Sequence, residues 1–504
     1  MGPRRAGLSI LLGVAALATA WLLATPPLGG PDEAAHLATA AADVRGQLAK
    51  PELNPVAYQR VSLPRTYAKA EASSLCLALG PGPANCQIPA AYCHLLAPSA
   101  ARCGLPMASG SAVEQGRTYT GRYPPVYFWA VGWPTLLSST PSTLYAVRVV
   151  SFLLCASLVA AAVVLALRRG RRALAAVVAI MATPMAITTM VAVNPNGLEL
   201  AGAVAMAVGG WLLVEAEGVD RGAQLLTIFG VIALTLSRPL GPLEALAGAV
   251  VLIVAAGPER RAVLHRLPRR GLGVLAATWL ATVAWIFVFH AFTVLVAPVP
   301  PSQRHGRLRY GLEGLTGWPR WLKQAFGDLG YTNVHPPRFA VIAWVAVLAL
   351  VLVLAARSWK RAPRGQRVAW LVALAWALLT PAAMAVADGR PPVLFYFGRY
   401  GLVPITFAVV VSLGMASHAN RLPRWTALLG GLALAGANLS TLAGALHYWT
   451  VGQGRPWLAN TSVPGAWQPP LGTASVVGLA VLGLGLLGLG AAGQLASDPA
   501  QPPR

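Results

Sequence analysis

Charged side chains are scarce. Acidic and basic residues make up 11% of the 504 residues, where a soluble domain carries about a quarter, so a water-soluble globular protein is excluded. Acidic residues are the rarer kind, 16 against 39 basic, and only four of the basic residues are lysines. The resulting net charge of +23 would alone suggest a nucleic-acid partner. Its placement argues against one, because most basic runs are short and lie between long apolar stretches, the pattern of a polytopic membrane protein. Five cysteines at this length exclude a small disulfide scaffold. No Walker motif, Rossmann fingerprint, zincin motif or nucleophile elbow stands out, which removes support from ATP-driven transport and soluble-style hydrolysis. Apolar residues dominate, at 56% with a mean hydropathy of +0.60, and that excludes intrinsic disorder.

A bilayer core about 30 Å thick needs about 20 apolar helical residues to cross it. The sequence predicts an all-α integral membrane protein, a single polytopic domain over 1–504 with about twelve spans. They are Leu8–Ala24, Leu144–Leu167, Ala173–Val193, Gly197–Val214, Gln224–Ser237, Leu240–Ala256, Gly271–Leu295, Phe339–Ala356, Val368–Ala387, Tyr400–Ala416, Trp425–His447 and Thr473–Ala492. The fifth and sixth are short and flanked by Pro239 and Pro242, so one kinked helix is their alternative. Arg4 and Arg5, with the basic turns at 168–172, 260–270, 357–367 and 421–424, decide it. Two spans put every basic turn on one side, the cytoplasm, with both termini there. The first span shares its basic start and small residues with signal peptides, as ordinary first spans do.

The large outer segments are then 26–143, 297–338 and 448–472. Cys76, Cys86, Cys93 and Cys103 fall in the first, a loop subdomain with amphipathic helices. Crowded thiols outside the cytoplasm are expected as two disulfides, with three pairings open. A zinc site is the rival, without CxxC spacing to support it. Cys155 lies within the second span and reads as a packing residue.

Ionisable groups near apolar zones mark candidate sites. After the first span, prolines and glycines lead to Pro31-Asp32-Glu33-Ala34-Ala35-His36. Pro31 suits a helix start, and two carboxylates in the first turn suit the positive end of its dipole. Asp32 and His36 then share a face, with Asp43 two turns along. Leu37, Val44 and Leu48 line a neighbouring face, which predicts an amphipathic helix lying on the membrane. Simple helix capping is the plainer explanation of the same acids.

An acidic pair after the first span, followed by a histidine and a long outer loop, resembles polytopic glycosyltransferases that use lipid-phosphate sugars, the GT-C superfamily. Pro26-Pro27 with Pro31-Asp32-Glu33-Ala34-Ala35-His36, and Phe397-Gly398-Arg399-Tyr400, resemble a large bacterial family of uncharacterised membrane proteins within it. Tyr123-Pro124-Pro125-Val126-Tyr127, Asn194-Pro195-Asn196-Gly197 and Ala325-Phe326-Gly327-Asp328-Leu329-Gly330 fit the same landmarks in order. The resemblance implies a GT-C-like architecture in the bacterial cytoplasmic membrane. It also implies inverting transfer of a sugar from a polyprenyl phosphate to a glycan, lipid or protein hydroxyl on the outer face, in cell-envelope glycan synthesis.

On that resemblance Asp32 is the expected general base. Glu33 and His36 would orient it, hold the acceptor or ligate a divalent cation. The departing lipid phosphate needs fixed positive charge, and Arg399, Arg238 and Arg338, the last beside His335, are the guanidinium candidates. Tyr400 adjoins Arg399. Tyr123 and Tyr127 belong either to an interfacial aromatic belt or to a sugar- or lipid-binding surface. Asn194 and Asn196 line the same cavity or cap the fourth span. Arg304, His305, Arg307 and Arg309 read as a lipid-surface contact, and 315–329 as a surface-lying amphipathic helix. A secondary transporter is the rival, since twelve spans suit that class. Two similar halves would mark it, and the long first loop has no counterpart. A non-catalytic envelope-assembly protein is the third reading.

Overall fold

The computed structural model describes residues 3–49, 58–70, 107–292, 299, 304–330, 332, 334–417, 424–450 and 467–496. It is mostly helical. In chain order the main elements are α1 (Pro3–Ala24), α2 (Glu33–Asp43), β1 (Gln59–Pro64), β2 (Val113–Thr118), α3 (Val126–Gly132), α4 (Thr143–Arg168), α5 (Arg172–Met181) and α6 (Pro184–Val191). There follow α7 (Pro195–Glu215), α8 (Arg221–Ser237), α9 (Gly241–Ala256), α10 (Arg269–Val288), α11 (Arg307–Thr316) and α12 (Trp318–Gly327). The last are α13 (Arg338–Arg357), α14 (Arg364–Asp388), α15 (Leu402–Ala416), α16 (Arg424–Thr450) and α17 (Gly472–Ala496).

Among the described residues, ten helices are long and apolar enough to cross a bilayer, or eleven if the bent pair α5–α6 is one crossing. The expected count of about twelve is corrected at two places. A continuous span over Ala173–Val193 is replaced by α5 and α6, bent by 82°. Pro184 cannot donate to the helical ladder; Thr183 Oγ1 accepts from the Ala186 N–H at 3.1 Å instead and starts a new helix. The fifth expected span, α8, is only 17 residues long. It is nonetheless separate from α9, because Arg238 is extended (φ −159°, ψ 172°) and Pro239 follows.

The bundle has two unlike ends. A Cβ on Gly13 would lie 2.8 Å from Gly483 O and from Leu487, and one on Gly483 would lie 2.7 Å from Leu17 N. α1 and α17 therefore cross antiparallel through small residues, which puts the start of one beside the end of the other. Arg148, at the start of α4, bonds carbonyls at the end of α1, so the arginines closing α4 lie with the start of α1. There Arg169 meets Asp220 at 2.6 Å, Arg171 meets Glu215 at 2.9 Å, and Arg266 donates to Leu213 O at 2.7 Å. The opposite end carries α2, the β-ribbon, α3, Arg238 and Arg399.

Contrary to the expected surface helix, every residue of α2 is buried. Cover arrives from far along the chain. β1 and β2 pair antiparallel from Gln59↔Thr118 to Pro64↔Val113, and Thr39 Oγ1 hydrogen-bonds Thr118 Oγ1 at 2.9 Å and Thr120 Oγ1 at 2.7 Å. Hydroxyls thus replace water on the polar face of α2. Cys76, Cys86, Cys93 and Cys103 lie outside the described residues; Cys155 is a buried free thiol in α4. In the 297–338 segment, the single helix expected over 315–329 is interrupted at Gly317: α11 ends at Thr316, and α12 buries Trp321, Gln324, Ala325 and Phe326.

Candidate functional site

Two adjacent carboxylates face opposite ways. Side chains one residue apart on a helix do not share a face, and here the divergence is complete. Glu33 is wholly buried and clamped by Arg148 in a bidentate pair, Nε to Oε1 at 2.7 Å and Nη2 to Oε2 at 2.6 Å. The Gly30 and Val193 N–H groups, each at 3.2 Å, donate to the remaining positions on Glu33. Arg148 also donates to Thr25 O and Pro26 O, both at 2.7 Å. The loop after α1 is thereby tied to α4, and Glu33 serves as its anchor.

That anchor forces Asp32 into a left-handed conformation (φ 56°, ψ 11°), a strain of about 1–3 kcal/mol for a residue other than glycine. Its carboxylate projects away from Glu33 and keeps 24% of its surface. Arg399 Nη2 donates to Asp32 Oδ2 at 2.5 Å across 367 residues of sequence, and Tyr119 Oη donates to Oδ1 at 2.8 Å. Burial alone would raise the Asp32 carboxyl, but Arg399, the Tyr119 hydroxyl and Arg238 outweigh it and hold the group below the ordinary aspartate range. Burial pushes the His36 imidazole down to about 3; Asp32 opposes this, while Arg399 and Arg238 add to it. His36 is therefore neutral. Its ring stacks on Phe128 at 5.8 Å and tilts against Tyr123 at 6.0 Å, and its Nδ1 is buried without a hydrogen-bond partner.

Arg399 is placed by α12. The Gly398 N–H donates to Gln324 Oε1 at 2.8 Å, and any side chain at 398 would collide with the α12 backbone. Arg238, from the α8–α9 turn, reaches the same ring of Tyr400: its guanidinium lies 4.2 Å from that ring and Arg399 lies 5.1 Å from it. Two buried guanidiniums thus meet at one tyrosine, beside one carboxylate and a neutral imidazole. Such a cluster suits an anion of more than one charge next to a proton acceptor.

A family model described as "Predicted membrane protein (DUF2142)" matches residues 16–409, a stretch that contains Asp32, Arg238 and Arg399. The chain belongs to that family. No curated protein and no solved structure matches it.

The remaining candidates in this DUF2142 protein divide by location. Asn194 is structural, donating to Pro31 O at 2.7 Å and capping α7 through the Asn196 N–H at 2.9 Å. Asn196 Nδ2 bonds Glu199 at 3.1 Å. Tyr127 is buried against Ser151 at 2.9 Å. His335 and Arg338 are not brought to Asp32. His335 Nδ1 pairs with Asp328 at 2.5 Å and contacts Lys323 at 3.0 Å, while Arg338 is exposed at the start of α13. Among the described residues, no group of three or more His, Cys, Asp or Glu could hold a metal. Asp32, Glu33 and His36 do not fit one: the first two are occupied by guanidiniums and the third faces aromatic rings.

Sequence reasoning missed Arg148, Tyr119 and Gln324. A lone arginine inside an apolar stretch is a usable signal for the first, and a glutamine on the apolar face of α12 for the third. Nothing local marks Tyr119.

Asp43, on the last turn of α2, is a second outlier. Both its oxygens are buried without hydrogen-bond partners, and burial pushes its carboxyl up to about 8. A raised folded-state value gives stability that is complete below 3.8 and is lost as pH climbs through about 8. Asp43→Asn should therefore match the wild type in thermal unfolding at low pH and exceed it near pH 8, by roughly 1–3 kcal/mol. Parallel unfolding curves at both pH values would contradict this.

Proposed function

We propose that this protein is an inverting glycosyltransferase, moving a sugar from a polyprenyl-phosphate donor to an acceptor hydroxyl at the outer face of the cytoplasmic membrane, in cell-envelope glycan synthesis. The observation that carries the reading is the convergence of Asp32 and Arg399, with Arg238 against the Tyr400 ring that Arg399 also approaches. In the proposed step the acceptor oxygen attacks the anomeric carbon while the bond from that carbon to the phosphate oxygen breaks. The hydroxyl proton passes to Asp32, and polyprenyl phosphate departs with its charge held by Arg399 and Arg238. Binding of the phosphate draws Arg399 off Asp32, which makes the carboxylate a better base when the substrate is in place.

An apolar groove of about 640 Å³ supports a lipid-linked donor. It lies between α4 and α8, with Leu198 and Leu236 at one end and Arg168 and Gly222 at the other. Leu198 adjoins Glu199, and Leu236 precedes Arg238 by two residues. The groove would take the prenyl chain while its phosphate sits at the guanidiniums. The basic turns at the far end of the bundle support this sidedness.

Arg399→Ala should weaken binding of a polyprenyl-phosphate donor about 10- to 100-fold, the worth of a charge-assisted hydrogen bond, and Arg399→Lys should restore only part of it, lacking the planar fork. Titration of the purified protein with donor reads both. Unchanged donor affinity in Arg399→Ala would remove the assignment.

A secondary transporter is the second reading, favoured by the broken α5–α6 span. An internal repeat would place a matching break in the other half. Among the described residues one bent pair occurs.

A further inference from the structure

Glu199 and Glu244 are two buried carboxyl groups that the proposed transfer does not use. Glu199 stands near the start of α7 and Glu244 in the first turn of α9, each where a helix dipole favours negative charge. Arg238 Nε lies 3.2 Å from Glu199 Oε1, Asn196 Nδ2 donates to Glu199 Oε2 at 3.1 Å, and Glu244, which faces Glu199 and Arg238, has its Oε2 buried without a hydrogen-bond partner. The two glutamates are 1% and 7% exposed.

Two ionised carboxylates would exceed the single positive charge of Arg238 by one, and an unmatched charge is costly to bury. One proton on the pair removes that excess. With it, the pair carries a single negative charge that matches the single positive charge of Arg238, as burial demands. The other groups facing the cluster are the Tyr400 ring beneath Arg238, Tyr123, and Tyr396, whose hydroxyl is buried without a hydrogen-bond partner. Asp32 and Arg399 are the nearest further charges, and they match each other.

We propose that Glu199 and Glu244 form a proton-binding site behind Arg238, and that binding of a phosphate anion to Arg238 draws one proton from solution onto the pair. The anion takes over the charge of Arg238. The negative charge of the pair is then unmatched in a buried place, and a second proton from water removes it. No other bond is made or broken. The inference rests on Arg238 as an anion ligand and not on sugar transfer.

Calorimetric titration with farnesyl phosphate near pH 8 tests it, in buffers of low and high ionisation enthalpy. A phosphate monoester loses its second proton near pH 6, so the probe itself brings few protons. The wild type should take up about one proton per ligand bound, and Glu199→Gln combined with Glu244→Gln should take up none. Buffer-independent heats in the wild type overturn the proposal whether or not the double variant folds, and so does an uptake that survives the double variant. Arg238→Ala separates the two failures. An affinity it leaves unchanged overturns Arg238 as the ligand and the proposal with it. A lost affinity alongside buffer-independent wild-type heats overturns the proposal alone.

Discussion

Asp32→Asn is expected to cut glycosyl transfer by about 10²- to 10⁴-fold, the usual contribution of a positioned proton acceptor, with the protein still folded. Asparagine can turn its one oxygen to Arg399 and donate its amide N–H to the Tyr119 hydroxyl oxygen, the two groups that now bind Asp32, so the local packing survives. It cannot take the acceptor's proton. Donor binding should not weaken, because Arg399 loses a competing carboxylate and is freer to meet phosphate. The loss should therefore fall on kcat rather than KM, which marks an interaction made in the transition state. His36 does not replace the missing base while it is held neutral and walled by Phe128 and Tyr123. Turnover in proteoliposomes, measured beside gel filtration of the same preparation, checks both halves. Normal turnover would end the general-base assignment.

One residue on, Glu33→Ala should do the reverse and destabilise the fold itself. Removing one partner of a buried ion pair leaves an uncompensated charge, at a cost of about 3–5 kcal/mol. Arg148 would retain its bonds to Thr25 O and Pro26 O but lose both strong contacts to carboxylate oxygen. The strain at Asp32 would also lose the anchor that maintains it. The expected result is a large fall in thermal stability and in folded yield, with activity lost in consequence. Replacing both partners by apolar residues should recover part of the stability, because the penalty comes from the orphaned arginine. A Glu33→Ala variant as stable as the wild type would show that the clamp is not what holds the loop.

These two neighbours show where sequence reasoning stops. Asp32 and Arg399 were legible because their surroundings are distinctive: prolines and glycines that end a span, and an arginine at the mouth of another. Their separate fates were not. Asp32 and Glu33 were read as one acidic pair in the first turn of a helix, although Asp32 is left-handed and precedes that helix, and the role of Glu33 depends on an arginine 115 residues away. The spans followed hydropathy closely except where Pro184 broke the third and where the fifth, at 17 residues, is too short. The burial of α2 was hidden for a different reason. Its amphipathic pattern suits a membrane surface, and its cover comes from the β-ribbon at 59–64 and 113–118, whose pairing no local signal announces. Tyr119 reaches Asp32 only because that ribbon forms. Arg238 was legible as an outer arginine, whereas its buried glutamate partners, 39 residues before it and 6 after it in sequence, were not linked to it.

The central claim is that a phosphate-bearing lipid reacts in the pocket between Asp32 and the two guanidiniums. Its most direct test is an experimental map of the protein with a polyprenyl phosphate bound. The account predicts phosphate density within hydrogen-bond reach of Arg399 and Arg238, the prenyl chain running down the groove between α4 and α8, and an open space beside Asp32 for the incoming hydroxyl. Phosphate density at the exposed arginines near 304–309, with the Asp32–Arg399 pair intact and closed, would contradict it.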